Sequence, residues 1–270
     1  MNYIIPVAVF AVLGAVSGIL LTVVSKIFAV KTDDRIERIN ESLPQANCGA
    51  CGFAGCEDYA NAIVKDNAPT NLCRLGGADV VKKVSEIMGT EAEVQEAVVS
   101  VMHCNGNCNV TSKKFDFEGV ETCAGASRFY GGNGLCSYGC IGLGDCVKVC
   151  EADCISIKNG IADVEESKCI ACGKCVKVCP HGLFSLRPVS KFVDVRCSSE
   201  DNGKTTRALC QNGCIACKMC EKKCPYDAIH VVGFHAVTDY SKCTNCGECY
   251  KICPTGSITM YGRNKKESDG

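Results

Sequence analysis

Tryptophan is absent from this 270-residue chain, and Phe and Tyr bring the aromatic share to only 6%. A chain of this size ordinarily fills its interior with large apolar and aromatic side chains, so a core poor in them has to be organised around something else. An excess of charge of one sign is missing too. The 29 basic and 30 acidic side chains leave a formal net charge of −1, which excludes an acidic disordered chain and a basic nucleic-acid binder alike. No G-x-G-x-x-G, Walker A or flavin-type motif is present, so no nucleotide or flavin site is supported and no bond-making chemistry is visible. The histidines, His103, His181, His230 and His235, are scattered without a partner His or carboxylate at ligand spacing; His103, beside Cys104, is expected to hydrogen-bond rather than ligate.

What is abundant is cysteine, with 26 residues. Disulfides or metal-bound thiolates would each organise such a core, and the compartment decides between them. Tyr3 to Ser25 carries no charged residue; at ~1.5 Å per residue the stretch spans roughly 34 Å as a helix, enough to cross a hydrocarbon core. No Lys or Arg precedes it, whereas Lys26, Lys31, Arg35 and Arg38 follow. A signal peptide has the opposite polarity, so the segment reads as an uncleaved single-pass anchor in the cell inner membrane. Its basic flank keeps residues 31–270 on the cytoplasmic side. Disulfides are disfavoured there, and the cysteines call for metal.

Spacing sorts them. Cys48-x2-Cys51-x4-Cys56, with Cys73 further on, has glycines at 49, 52 and 55 that let the backbone turn tightly around sulfur. Four such thiolates can close around a [4Fe–4S] cube; a structural zinc site is the competing reading, though zinc ribbons prefer two CxxC pairs. Two runs follow the bacterial ferredoxin spacing, Cys214-Cys217-Cys220-Cys224-Pro225 and Cys243-Cys246-Cys249-Cys253-Pro254. In such tandems the fourth cysteine of each run ligates the other cluster. The expected sets are therefore Cys214, Cys217, Cys220 and Cys253, and Cys243, Cys246, Cys249 and Cys224.

The pattern also occurs upstream. Cys169-Cys172-Cys175-Cys179-Pro180 lies 74 residues before the last run, and Cys140, Cys146 and Cys150 lie 74 before Cys214, Cys220 and Cys224. The same offset pairs Cys123 with Cys197 and Cys136 with Cys210. A duplicated two-cluster unit explains ten positions at one offset, with Leu143 standing where Cys217 stands.

That mismatch leaves Cys140, Cys146 and Cys179 one ligand short. Cys154, Cys136 or Cys123 as a replacement thiolate, Asp145 through oxygen, or a three-iron [3Fe–4S] cluster each complete it. A further cube is expected from Cys104, Cys108, Cys123 and Cys136; Cys154 then fills the short site, and Cys197 and Cys210 remain as buried free thiols. This makes about five to six [4Fe–4S] clusters.

Between the motifs, Ile155 to Lys158 and Ile161 to Val164 read as strands about a type I′ turn at Asn159-Gly160, repeated at 228–237. With a helical turn expected after each Cys-Pro, this is a small α+β ferredoxin-like unit. From Gly77 to Val101 the apolar residues, Val94 and Val98 among them, keep helical spacing interrupted at Gly89-Thr90, which predicts a helical connector. Between Arg187 and Lys223, eight basic residues face four acidic ones. This segment reads either as a docking face for an acidic partner or as an ordinary solvated surface.

The anchor, the run from Leu43-Pro44 through Asn47-Cys48-Gly-Ala-Cys51-Gly-Phe-Ala-Gly-Cys56, and the ferredoxin repeats together resemble the B subunit of the Rnf family, ion-translocating ferredoxin:NAD+ oxidoreductases of bacterial membranes. The likeness covers essentially the whole chain, and Cys136-Ser-Tyr-Gly-Cys140-Ile-Gly-Leu-Gly-Asp-Cys146 is similar to the longer form of that subunit. Two departures are local: Glu151 replaces the proline usual after a fourth cysteine, and Cys154 stands where Ala228 stands in the second copy. The resemblance implies an electron-transfer subunit that takes electrons from reduced ferredoxin and passes them to membrane partners. Flavin-bearing and NAD-binding subunits elsewhere complete a reaction that drives Na+ or H+ across the membrane. A polyferredoxin subunit of a hydrogenase, formate dehydrogenase or other reductase is the alternative. The expected organisation is an anchor (1–30), a four-Cys head (31–76), a helical connector (77–101), ferredoxin-like units at 102–186 and 187–260, and a polar tail (261–270).

Overall fold

The computed structural model describes residues 4–27, 33–91 and 96–261; Lys31 of the basic flank, Val94 and most of the polar tail lie outside them. Helix α1 (Ile4–Ile27) contains an apolar window, Val7–Val24, long enough to cross a membrane, and none of that window is buried against the rest of the chain. Two of its hydroxyls are satisfied within the helix: Ser17 donates to the Leu13 carbonyl at 2.6 Å and Thr22 to that of Gly18 at 2.7 Å. A hydrocarbon surrounding demands such internal pairing.

Three helices follow, α2 (Asp34–Ser42), α3 (Cys56–Lys65) and α4 (Gly77–Met88). The Asp33 carboxylate caps α2 by accepting the Arg35 amide. Ile36 and Ile39, one turn apart, pack with Tyr59, Ile63 and Val84 into a small aliphatic core. The Tyr59 hydroxyl donates to the Pro69 carbonyl at 2.7 Å and accepts from the Leu72 amide at 3.1 Å, which ties the Cys73 loop to α3. Gly89, left-handed at φ 65, ends α4 where an interruption was expected.

Beyond it the expected helix does not resume. Val98–Met102 is strand β1. Its apolar residues suit either period, and β-branched composition together with a waiting partner strand decides for β.

The next elements are α5 (Cys123–Ser127), α6 (Asp145–Lys148), β2 (Ile155–Lys158), β3 (Ile161–Val164), α7 (Lys174–Val178) and β4 (Phe184–Pro188). After them come β5 (Val193–Val195), α8 (Gly203–Leu209), α9 (Met219–Lys223), β6 (Ile229–Val232), β7 (His235–Thr238), α10 (Glu248–Ile252) and β8 (Ile258–Met260). The order α6, β2, β3, α7, β4 recurs as α9, β6, β7, α10, β8. The β2–β3 turn has positive φ at both Asn159 (51) and Gly160 (78), as a type I′ turn requires. Each short helix precedes its Cys-Pro rather than following it. Cys179, Cys224 and Cys253 are extended C-caps of α7, α9 and α10, because the residue before proline is driven out of the helical region.

β1 pairs antiparallel with β4, and β5 with β8. So β1 holds in the first unit the place that β5 holds in the second. The two units meet back to back at these strand ends, with reciprocal contacts. The His103 and Arg196 amides donate to Leu183 O and Ser257 O, each at 2.7 Å. Across the seam, the His103 Nδ1 bonds to Val195 O at 2.7 Å and Arg196 Nε donates to Met102 O at 3.2 Å. Arg187 and Asp194, both fully buried, pair at 3.0 Å, with Glu166 and the Tyr240 hydroxyl completing the network. Two basic residues of the expected docking face, Arg187 and Arg196, are thus internal.

Candidate metal centres

The cysteine motifs share one backbone shape. Two residues past the first cysteine stand Gly142 (φ 81), Ala171 (φ 55), Ala216 (φ 53) and Asn245 (φ 61); two further on stand Gly144 (φ 80), Gly173 (φ 73), Lys218 (φ 59) and Gly247 (φ 76). Three residues past the fourth cysteine, Asp153, Gly182, Asp227 and Gly256 are also left-handed. Non-glycine residues adopt this region at a cost of about 1–2 kcal/mol each. Its repetition makes a nest, in which successive N–H groups converge on a concavity suited to anionic sulfur. The Ala171 amide donates to Cys169 Sγ and that of Asn245 to Cys243 Sγ, both at 3.5 Å; those of Leu183 and Ala228 reach Cys179 and Cys224 Sγ at 3.4 Å. An all-thiol donor set inside an amide nest fits an iron–sulfur cluster. The shape persists at Gly142 and Gly144 even though Leu143 between them carries no thiol.

The sequence-derived groupings come together in space. Cys214, Cys217, Cys220 and Cys253 line one hollow of about 320 Å³, with the fourth thiol arriving from the other run. Cys249 has Cys243, Cys224 and Cys246 as its thiol neighbours, and Cys175 has Cys169 and Cys172. Cys48, Cys51, Cys56 and Cys73 line a separate hollow of about 350 Å³ at the end of α3, where the Asn47 side chain accepts the Cys56 amide at 2.8 Å. Lys174 links this region to the first unit: paired with Glu151, it also lies within electrostatic reach of Cys172 and Cys48.

Four cysteines take places other than those expected of them, and a fifth, Cys123, takes one of the alternatives left open for the short site. The hollow that holds Cys140, Cys146 and Cys179 has Cys123 as its fourth thiol. Thr122 caps α5 and presents Cys123 there, and the Ala124 amide donates to Asp145 Oδ2 at 3.1 Å, fixing α5 against α6. Asp145 Oδ1 faces the same hollow, buried and without a hydrogen-bond partner. Cys154, expected at this short site, instead lies 3.4 Å from Cys150 Sγ and close to Cys169. Cys108, expected beside Cys104, is exposed against the β2–β3 turn, its amide donating to Asn159 O. Cys104 and Cys136 share a hollow with Cys197 and Cys210, which are therefore not isolated thiols. The 74-residue register hid this, because Cys104 and Cys197 occupy matching positions two residues past β1 and β5 but 93 residues apart. A strand ending two residues before a cysteine was the signal available in the sequence. His103 takes the hydrogen-bonding role expected of it, between Val195 O and Ser185 Oγ.

Burial pushes the thiols of Cys146 and Cys249 up to about 12, and those of Cys140 and Cys220 up to about 11; neighbouring thiols push the same way. Cys253 goes down, because hydrogen bonds from Ser257 and Thr255 outweigh its burial. Iron that loads these sites has protons to displace. Among the described residues no group of His, Cys, Asp or Glu is gathered tightly enough for a single metal ion, whereas zinc would draw four sulfurs to about 2.3 Å from one point.

Known proteins match this chain along nearly its whole length. Residues 43–75 match a family described as a putative Fe-S cluster, and residues 139–183, 168–228 and 213–258 match 4Fe-4S dicluster domains. The B subunit of the proton-translocating ferredoxin:NAD(+) oxidoreductase complex of Clostridium ljungdahlii is 42% identical, over 96% of this chain and 93% of its own length. The B subunit of the ion-translocating oxidoreductase complex of Methanosarcina acetivorans is 40% identical over 94% and 97%. The B subunit of the Na(+)-translocating ferredoxin:NAD(+) oxidoreductase complex of Acetobacterium woodii is 39% identical over 96% and 79%.

Proposed function

Because this chain belongs to the family of B subunits of ion-translocating ferredoxin:NAD(+) oxidoreductase complexes, we propose that it accepts electrons from reduced ferredoxin on the cytoplasmic face of the membrane and conducts them to partner subunits. The observation that carries this reading is the gathering of thiols at separate places in one chain: three hollows lined by four cysteines each, and two further groups of neighbouring thiols around Cys249 and Cys175. Each hollow would hold a [4Fe–4S] cluster, which supplies one-electron transfer and no bond chemistry.

The ligand sets are Cys48, Cys51, Cys56 and Cys73 in the head; Cys123, Cys140, Cys146 and Cys179, then Cys150, Cys169, Cys172 and Cys175, in the first unit; and Cys214, Cys217, Cys220 and Cys253, then Cys224, Cys243, Cys246 and Cys249, in the second. The protein's part is to hold these sulfurs, hydrogen-bond them and exclude water. Basic residues following α1 keep its C-terminal end cytoplasmic. Flavin-bearing and NAD-binding subunits complete the reaction. The cation is chosen elsewhere in the complex: relatives named for protons and for Na(+) are similar to this chain at 42% and 39% identity.

Ferredoxin docks at α9, where Lys218, Lys222 and Lys223 are exposed beside the exposed Cys217. Tests use the anaerobically purified complex, following bleaching of the cluster absorbance after mixing with reduced ferredoxin. Charge reversal at Lys222 and Lys223 slows bleaching at low salt, and added salt slows the unmodified complex. A rate indifferent to both removes the docking face. A colourless preparation rich in zinc removes the electron-transfer role itself.

A further inference from the structure

The seam between the two units contains more than packing. Each unit contributes one cysteine two residues beyond its partner-pairing strand, Cys104 after β1 and Cys197 after β5, and one cysteine four residues before its first motif cysteine, Cys136 and Cys210. All four line one hollow with about 480 Å³ of space. We propose that Cys104, Cys136, Cys197 and Cys210 hold an additional [4Fe–4S] cluster, shared by the two units and joining their cluster pairs into one conductor.

The surroundings of the four sulfurs are matched across the seam. Cys104 Sγ accepts the Gly106 and Cys140 amides, each at 3.4 Å; the amides of Ser199 and Cys214 hold the corresponding positions beside Cys197. The amides of Tyr138 and Gly139 lie beside Cys136, and those of Asn212 and Gly213 beside Cys210, residues related by the 74-residue register. Thiols destined only for packing need no such amides, whereas the thiols of the ferredoxin-type sites receive the same kind. Sulfurs from both units border Gly106: a Cβ there would sit in ordinary contact with Cys210 Sγ at 3.4 Å and with Cys104 Sγ at 3.6 Å. A single zinc ion needs the sulfurs closed on one point, and no such closure exists among the described residues.

The site also lies between the two units' chains of sulfur. Cys140 and Cys214, whose amides point at its thiolates, are themselves first ligands of the neighbouring sets. Each electron taken from one neighbouring cluster is passed to the other, with no bond made or broken. The proposal rests on reading the five other thiol sets as cluster sites.

The experiment is a cluster count by native mass spectrometry, with iron and sulfide analysis, on the anaerobically purified full chain. Six clusters, about 24 iron per chain, are expected. Five clusters overturn this proposal alone, and none overturns the reading beneath it as well. The double substitution Cys197→Ser and Cys210→Ser lowers the count by one cluster and removes one paramagnetic centre from the reduced spectrum, while Cys108→Ser changes neither. An unchanged count in the double variant refutes the site. If that variant fails to fold, the count on the unmodified chain decides alone.

Discussion

The main-chain N–H of Cys140 donates to Cys104 Sγ at 3.4 Å, while the sulfur of Cys140 itself faces Cys123, Cys146 and Cys179 in the adjoining hollow. One residue therefore serves two centres, its amide turned to one and its thiol to the other. Cys140 thus borders both hollows, with no other side chain needed to join them.

Cys123 completes the site that Leu143 leaves short, so Cys123→Ala is expected to convert that cluster to a three-iron form, seen as a new paramagnetic signal in the oxidised protein. The left-handed residues on either side of position 143 match those around Cys217. Adding Leu143→Cys to Cys123→Ala should therefore restore the four-iron cluster and abolish the signal. Persistence of the signal in the double variant would show that the matched backbone is not enough.

Gly142 and Gly173 separate two uses of glycine. Both have positive φ, but a Cβ at Gly142 would lie 2.5 Å from the Gly160 carbonyl oxygen, whereas at Gly173 it meets nothing within 4 Å. Gly173→Ala should cost only about 1–2 kcal/mol, the left-handed penalty. Gly142→Ala should cost more and release iron from the Cys123 site first. Equal iron retention by the two variants after mild heating would contradict this.

Arg187 and Asp194 pair across the seam with no exposure of either side chain. Arg187→Ala leaves the buried Asp194 carboxylate without a counter-charge, held only by the Tyr240 hydroxyl, and destabilisation by about 3–5 kcal/mol is expected. The joint replacement Arg187→Met and Asp194→Leu should recover much of that loss, since the desolvation of both charges is relieved together. Denaturant midpoints of the iron-loaded variants measure both effects, and a double variant no better than the single one would assign the stability to packing instead.

Iron removal should act unevenly. Cys104, Cys146, Cys154 and Cys175 are part of the first unit's own buried core, and Cys214, Cys220, Cys243 and Cys249 of the second's. The buried core near the anchor is made of Ile39, Tyr59, Ile63 and Val84 among others. After chelation, limited proteolysis should cut within residues 98–261 long before α2, α3 and α4. Simultaneous loss of all three regions would count against independent cores.

The ferredoxin-type runs and the β2–β3 turn were legible in the sequence because spacing and Asn159-Gly160 act locally. The approach of Cys253 to Cys214, Cys217 and Cys220 was legible for the same reason, since the chain reversal is built into the motif. Cys123 was only one of several alternatives for the short site, and the set around Cys104 was not legible. Their positions depend on a seam whose partners are 93 residues apart, and on a segment present in one copy only, so no single offset contains both. Residues 98–102 were misassigned because short apolar runs satisfy helical and strand periods alike, and only β4 settles the matter.

The reciprocal contacts of His103 and Arg196 make the seam isologous: each half offers the same patch to the other, as in a two-fold homodimer. Here the two protomers are links of one polypeptide, so their encounter is intramolecular and independent of protein concentration. Dilution, which dissolves dimers of small proteins, leaves this junction closed, and the two halves are free to diverge in sequence without losing each other.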